Sequence, residues 1–478
     1  MERHSPELRR QIGGSRWRSG RPRAARSRRC TRPIAITVIA LVAFGVGCSE
    51  SRPPGRYNVI VISIDALRAD RLGGYGYHRN TSPHLDAFAT RGVLFETVVA
   101  ETSWTLPSHV TMLSGLYPSS HGAVLTTLKP GPDVPLLAEI LSEAGYHTVG
   151  LTDGSYVGSA YGFARGFDRF NDADTPFGIT LARARAEMER LPKKDRVFMF
   201  LHTYDVHCPY TPDEAYASRF RSPDASFIET EGRCGYTHYS QLALTPGQVR
   251  YLSDQYDASI READDALGPF LDYLDTSGRL DDTIVVITSD HGEEFWEHGQ
   301  IGGHALSLHR EVLMIPLVIV GPELEPAHVP TPIGLVDLVP TLLDLVELPV
   351  PDSVEGVSRT SELRRPPSPG AGRDRSEAPP RERVSEIDWQ LPLRSVMTGD
   401  WHLIVDQRTG RSRLFAVPDD PMEASDLAEG HEEVVNALLD SLSRFDAARE
   451  RRDPKPLLGE LSPEQRERLR YLGYINEP

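Results

Sequence analysis

The chain holds 478 residues, long enough for one large α/β domain and a smaller one. Its 39% hydrophobic and 25% charged content is ordinary for a globular protein. The net charge of −16 is uneven: residues 1–48 carry eleven Arg and two Glu, leaving 41 basic and 66 acidic side chains beyond, so a nucleic-acid partner is excluded for want of a basic face.

In chain order, an Arg-rich run leads into Pro33–Cys48, "PIAITVIALVAFGVGC", sixteen residues without a charge. A spanning helix needs about 20 apolar residues, so the segment suits the apolar part of an export signal. Gly45 and Gly47 before Cys48 are similar to a bacterial lipoprotein cleavage site, with Gly45 where leucine is usual. The expectation is an export segment over 1–48, with lipid attachment at Cys48 and a place in the bacterial cell envelope. Membrane tethering through the uncleaved segment and ordinary secretion are the alternatives. Cys208 and Cys234 share a polar insertion and can pair in an exported chain, with free thiols as the plainer reading.

Strand and helix signals then alternate, which predicts an α/β fold: a large, mostly parallel sheet covered by helices on both faces. Asn58–Ile64, "NVIVISI", is a β-branched run of the doubly covered kind. Ser82-Pro83 opens a helix closing near Gly92, and Thr105-Leu106-Pro107 opens another ending at Gly115. Val134–Ala144 reads as a helix stopped by Gly145, with strands around Thr148–Thr152 and Val197–Leu201. From Thr245-Pro246 to Thr276, apolar residues keep three- and four-residue spacing, so a long amphipathic helix is predicted. Thr283–Asp290, "TIVVITSD", is a further buried strand, and "IPLVIVGP" with a helix around Leu335–Leu348 completes a catalytic domain over 56–358. Thr360–Arg383, with five prolines and little to bury, reads as a linker. Residues 384–478 follow as a small antiparallel sheet, with a hairpin at Thr409-Gly410, and a capped tail helix.

Asp65 ends one predicted strand, and Asp290 ends another, followed at once by His291. Ligands of open α/β sheets bind beyond the carboxyl ends of strands, where these three side chains would form an oxygen- and imidazole-rich metal site. Singly, each is more often a loop cap or salt-bridge partner. Thr105 opens its helix, where free N–H groups and the dipole favour an anion. A hydroxyl facing a divalent cation there becomes a nucleophile for a phosphorus or sulfur centre, although threonine also simply N-caps helices. His207 and His304 are the candidate substrate ligands or general acids. His202, His298 and His309 are substitutes, each alone a structural or surface histidine. Asp205 with His207 is a weaker candidate for a second metal.

Several of these stretches form an ordered resemblance. "TLPSHVTMLSGLYPSSHG" resembles the sulfatase signature, Cys/Ser-x-Pro-Ser-Arg followed by a Thr-Gly or similar pair. "NVIVISIDALRADRLGGYG" and "TIVVITSDHGEEFWEHG" are similar to the family's two metal motifs, "HTYDVHCPY" to its histidine-bearing substrate loop, and "LFAVPDDPMEASDLAE" to its C-terminal sheet. The resemblance spans residues 56–435 and implies the fold that sulfatases share with alkaline phosphatases. It implies one divalent ion, Zn²⁺, Mn²⁺ or Ca²⁺, held by Asp65, Thr105, Asp290 and His291.

The departures redirect the chemistry. Sulfatases oxidise the signature Cys or Ser to formylglycine, whereas Thr105 could yield only a ketone, so no formylglycine is expected. His109 stands for the signature arginine, Ala66 for a second metal-binding aspartate, and Asp153 and Ser155 lie where a sulfate-binding lysine and histidine are usual. Phosphodiesterases and phosphoethanolamine transferases of the same superfamily use a threonine nucleophile. The reading is a metal-dependent hydrolase of sulfate or phosphate esters, phosphoesters favoured, acting on a small or glycan- or lipid-linked anionic ester. The alternatives are a phosphoethanolamine-type transferase, and a non-catalytic envelope protein that binds an anion.

Overall fold

The structure is a computed structural model that describes residues 55–229, 244–299, 301–364, 382–389, 391–449, 455–459 and 461–472. The export segment, Cys48 and Cys234 lie outside the described residues. Among the described residues, no helix is long and apolar enough to cross a membrane.

An eight-stranded sheet forms the centre. In chain order its strands are β1 (Asn58–Ile64), β2 (Val93–Phe95), β3 (His147–Leu151), β4 (Arg169–Asn171), β5 (Val197–Thr203), β6 (Thr283–Thr288), β7 (Leu317–Val320) and β8 (Ala327–Val329). Their spatial order is β8-β2-β7-β6-β1-β5-β3-β4. The pairings of β1 with β5 and β6, of β5 with β3, and of β3 with β4 are parallel, whereas β7 runs antiparallel to β6 and β2. All seven residues of β1 are buried, its apolar run interrupted only by Ser63 and preceded by Asn58.

Helices cover both faces. Val59 and Val61 of β1 pack with α2 (Thr105–Ser114), α3 (Leu137–Glu143) and a helix near the end of the domain (Leu338–Leu345). Ile60, Ile62 and Ile64 pack on the other face with α1 (Pro83–Ala89), with Phe177–Arg190 and with the 31-residue helix Pro246–Thr276. That long helix starts at a capping box: Gln248 N–H donates to Thr245 Oγ1 (3.3 Å) and Thr245 N–H to Gln248 Oε1 (2.9 Å). Such a cap contributes about 1 kcal/mol.

A four-stranded antiparallel sheet, Arg383–Ile387, Leu393–Met397, Trp401–Asp406 and Ser412–Ala416, follows in the C-terminal part. At one end of the segment expected as a linker, Thr360–Arg364 is a short helix, and at the other Arg383 begins a strand. Arg383 is buried on Asp337 (2.9 Å), as is Arg359 (2.9 Å), and this long-range pairing orders both ends. Residues 365–381 lie outside the described residues. The first strand of this sheet docks on the segment that leads into α2: Glu386 N–H donates to Glu101 O (2.8 Å) and Ser385 Oγ to Ala100 O (2.7 Å).

Candidate active site

Because β1, β3, β5 and β6 are parallel, the residues after their last members meet at one edge. Asp65 follows β1, Asp153 lies just past β3, Tyr204 follows β5, and Asp290 and His291 lie just past β6. Thr105 is the first residue of α2, and Gly115 in the left-handed region (φ 69°) closes that helix. Asp65, Thr105, Asp290 and His291, the four expected metal-site residues, all come together, and each is fully buried.

His291 carries the argument for a cation. Its Nδ1 is 2.8 Å from Gly292 O, and a carbonyl only accepts, so the ring hydrogen sits on Nδ1. Nε2 then presents a lone pair to Asp290 Oδ2 at 3.3 Å, Asp65 Oδ1 at 3.8 Å and Thr105 Oγ1 at 3.3 Å. Asp290 Oδ2 and Asp65 Oδ1 are themselves buried without a hydrogen-bond partner among the described residues. A lone pair facing two buried carboxylate oxygens is repulsive until a cation stands between them. Asp65, Asp290 and His291 each place a ligand atom within 4.8 Å of the others, so these residues fit a divalent ion. Burial, then the charges of Asp290 and Glu293, pushes the Asp65 carboxyl well above its usual range.

A second layer fixes these ligands. His109, four residues after Thr105, donates from Nδ1 to Thr105 O (2.9 Å), and that nitrogen is 3.4 Å from Asp290 Oδ2. Ser63 Oγ lies 2.9 Å from His109 Nε2 and donates to it. His202 Nε2 is 3.3 Å from Asp65 Oδ2. Ala66 N–H donates to Asp290 Oδ1 (3.2 Å), and Ser108 Oγ donates to Asp290 O (2.6 Å).

His207 and His304 stand on the far side of His291. The His291 and His304 rings are 4.4 Å apart, and those of His304 and His207 are 4.9 Å apart. His304 Nδ1 donates to Glu293 Oε1 (3.0 Å), whose other oxygen accepts from Tyr210 OH (3.0 Å). His207 Nδ1 donates to Cys208 O (2.5 Å), and Cys208 is disulfide-bonded. Burial, with His304 beside it, pushes His207 down to about 3, and burial with His291 pushes His304 well below its usual value. In this state both are neutral imidazoles, so neither is a preformed acid.

The remaining candidates lie elsewhere or serve structure. His309 Nδ1 donates to Glu423 (2.6 Å) and its ring stacks on His298 at 3.5 Å, next to the C-terminal sheet. Asp205 accepts from Phe177 N–H (3.0 Å) at the start of Phe177–Arg190, which turns it to capping. Asp153 accepts from Tyr204 N–H (2.9 Å) and Thr203 Oγ1 (3.1 Å) on a single oxygen. Glu293, Ser63 and Tyr204 belong to the site although the sequence reading did not select them. Glu293 stands in a run of acidic residues where nothing marks one of them, and Ser63 reads as an ordinary strand residue.

The comparisons agree with this geometry. The family model described as Sulfatase matches residues 57–348. The chain is 27% identical to an ulvan-active sulfatase of Formosa agariphila, over 72% of this chain and 72% of that protein. It is 25% identical to a multifunctional alkaline phosphatase superfamily protein of Trinickia caryophylli, over 71% of this chain and 81% of that one. The fold matches the phosphonate monoester hydrolase of Agrobacterium radiobacter with a TM-score of 0.65 at 20% identity, covering 85% of this chain and 100% of that one. With the strand-end site in place and most of the central domain matched, the chain belongs to the sulfatase family and is a sulfatase-like ester hydrolase.

Proposed function

We propose that this enzyme hydrolyses phosphate mono- or diesters faster than matched sulfate esters, with Thr105 as the nucleophile. The observation that carries the reading is the Thr105 hydroxyl at the first turn of α2, 3.3 Å from the His291 lone pair. A divalent ion (Zn²⁺, Mn²⁺ or Ca²⁺) held by Asp65, Asp290, His291 and Thr105 would lower the hydroxyl pKa and offset substrate charge. The N-terminus of α2 adds its free N–H groups and dipole toward the same anion.

In the first step Thr105 Oγ1 bonds to phosphorus as the bond to the leaving oxygen breaks. The hydroxyl proton passes to the leaving oxygen through His304, whose Nε2 lone pair is set by the Nδ1 bond to Glu293. The bound anion raises the basicity of that buried imidazole. Water then attacks phosphorus as its bond to Thr105 Oγ1 breaks, a water proton restores the hydroxyl, and the product is phosphate from a monoester or a phosphate monoester from a diester. The sulfate branch is slower because sulfothreonine lacks the elimination open to a formylglycine hydrate. The substrate class is an anionic ester on a small molecule, glycan or lipid, in line with a relative named for ulvan.

The test is turnover of p-nitrophenyl phosphate, bis-p-nitrophenyl phosphate and p-nitrophenyl sulfate by metal-saturated enzyme. Thr105→Ala should lose about 10⁴-fold or more in kcat with its metal retained, while Thr105→Ser stays active. Preference for the sulfate ester with Thr105 unmodified would overturn the reading.

A further inference from the structure

Tyr204 stands one residue past β5, beside Asp65, because Asp65 N–H donates to Thr203 O (3.0 Å). Its ring is held edge-on between two imidazoles of the site, 4.6 Å from His202 and 5.4 Å from His207. Its backbone is fixed from behind by the bond from its N–H to Asp153. The side chain is only 4% exposed, yet among the described residues its hydroxyl has no hydrogen-bond partner. A buried hydroxyl in that state is a net cost to folding, and phenylalanine would fill the same space without it. The fold therefore immobilises the ring and leaves its polar atom uncommitted, at the edge where the metal ligands converge.

The neighbours say what that atom can offer. His291 carries its ring hydrogen on Nδ1, bonded to a backbone carbonyl, and so turns a lone pair rather than a hydrogen toward Asp65, Asp290 and Thr105. The Nδ1 hydrogen of His109 is spent on Thr105 O. A phenol keeps its hydrogen at neutral pH, so it supplies a hydrogen without adding charge.

We propose that Tyr204 is a catalytic residue: its hydroxyl donates a hydrogen bond to a non-bridging oxygen of the ester that Thr105 attacks. The proposal rests on the ester-hydrolase reading but not on phosphate over sulfate, since either tetrahedral anion presents such an oxygen. A prepositioned donor in a site shielded from water gains strength as charge builds on that oxygen.

The experiment compares metal-loaded full-length wild type with Tyr204→Phe. Turnover is measured on whichever of p-nitrophenyl phosphate or p-nitrophenyl sulfate the wild type cleaves. Binding of inorganic phosphate and of inorganic sulfate is measured by calorimetry. The expected result is a fall in kcat of about 100-fold and anion binding weaker by about tenfold. Metal content should be unchanged, and Tm unchanged or raised, because the substitution removes an unpaired polar atom. Wild-type kcat and anion affinity in Tyr204→Phe would overturn the proposal, as would losses that track a fall in Tm or in metal content. The binding arm decides the matter even for a wild type that cleaves neither ester, and that outcome would count against the ester-hydrolase reading alone.

Discussion

His109 couples the nucleophile to the metal site more directly than any other side chain described. One nitrogen holds the Thr105 carbonyl and lies 3.4 Å from a ligand oxygen of Asp290, while the other accepts from Ser63. It sits one helical turn after Thr105, so α2 itself sets the spacing. Supporting residues of this kind typically change metal affinity or activity by about 10–100-fold when removed. His109→Ala should therefore lower kcat and metal affinity together within that range, and activity equal to wild type would refute the coupling. Asp290→Asn removes a first ligand instead, and stoichiometric metal should then be lost on dialysis, as elemental analysis would show. The metal ligands were legible in the sequence because a carboxylate after a β-branched run has one place to go. Tyr204, Ser63 and Glu293 were not, because their roles come from neighbours up to 225 positions away, as the Glu293 O contact with Arg68 illustrates.

At the scale of elements, the strand-to-loop joint after β6 is closely packed. Gly292 N–H donates to Val312 O (2.9 Å), and Glu293 N–H to Glu311 O (3.1 Å), which clamps the turn carrying Asp290 and His291. A Cβ on Gly292 would meet Glu311 O at 2.0 Å, a backbone atom with no freedom to move aside. Gly292→Ala should destabilise the fold by about 1–3 kcal/mol through overpacking. Because the displaced residue adjoins His291, metal affinity should fall with it. Denaturant unfolding with and without added metal checks both, and an unchanged midpoint in each would mean that the joint relaxes freely. Periodicity disclosed the long helix Pro246–Thr276 and the buried strands, since their apolar spacing is a local property. It did not disclose the ends of the supposed linker. Arg383 and Arg359 are ordered by Asp337, a partner distant in sequence, and proline content speaks only for residues between them.

Across the whole molecule, the fold buries titratable groups of two kinds, and their linkages pull in opposite directions. Burial, helped by the charge of Asp337, pushes Glu101 up to about 8 from an ordinary value of 4.5. Burial chiefly raises Glu386 and Asp153 to about 7 each. Between the ordinary and the raised value the folded chain holds a proton that the unfolded chain has lost, so each group lowers stability as pH rises through that window. The buried imidazoles act in reverse. Burial pushes His121 to about 3, so below its ordinary 6.5 the unfolded chain binds the extra proton and stability falls as pH drops. Above pH 6.5 the depressed imidazoles no longer contribute, and the raised carboxyls act in the same direction as His298, which, against burial, Glu311 holds above its ordinary value. Glu101 and Glu386 lie where the C-terminal sheet meets the segment leading into α2, so their ionisation loads the contact that supports the nucleophile helix. We therefore expect metal-saturated protein at fixed ionic strength to lose about 2 kcal/mol of unfolding free energy between pH 6.5 and pH 8. Glu101→Gln cannot ionise, so it should flatten that slope whatever it does to the absolute stability. Stability that is level or rising over this interval in the wild type, or an unaltered slope in Glu101→Gln, would show that the two carboxyls are not buried against the nucleophile segment as described.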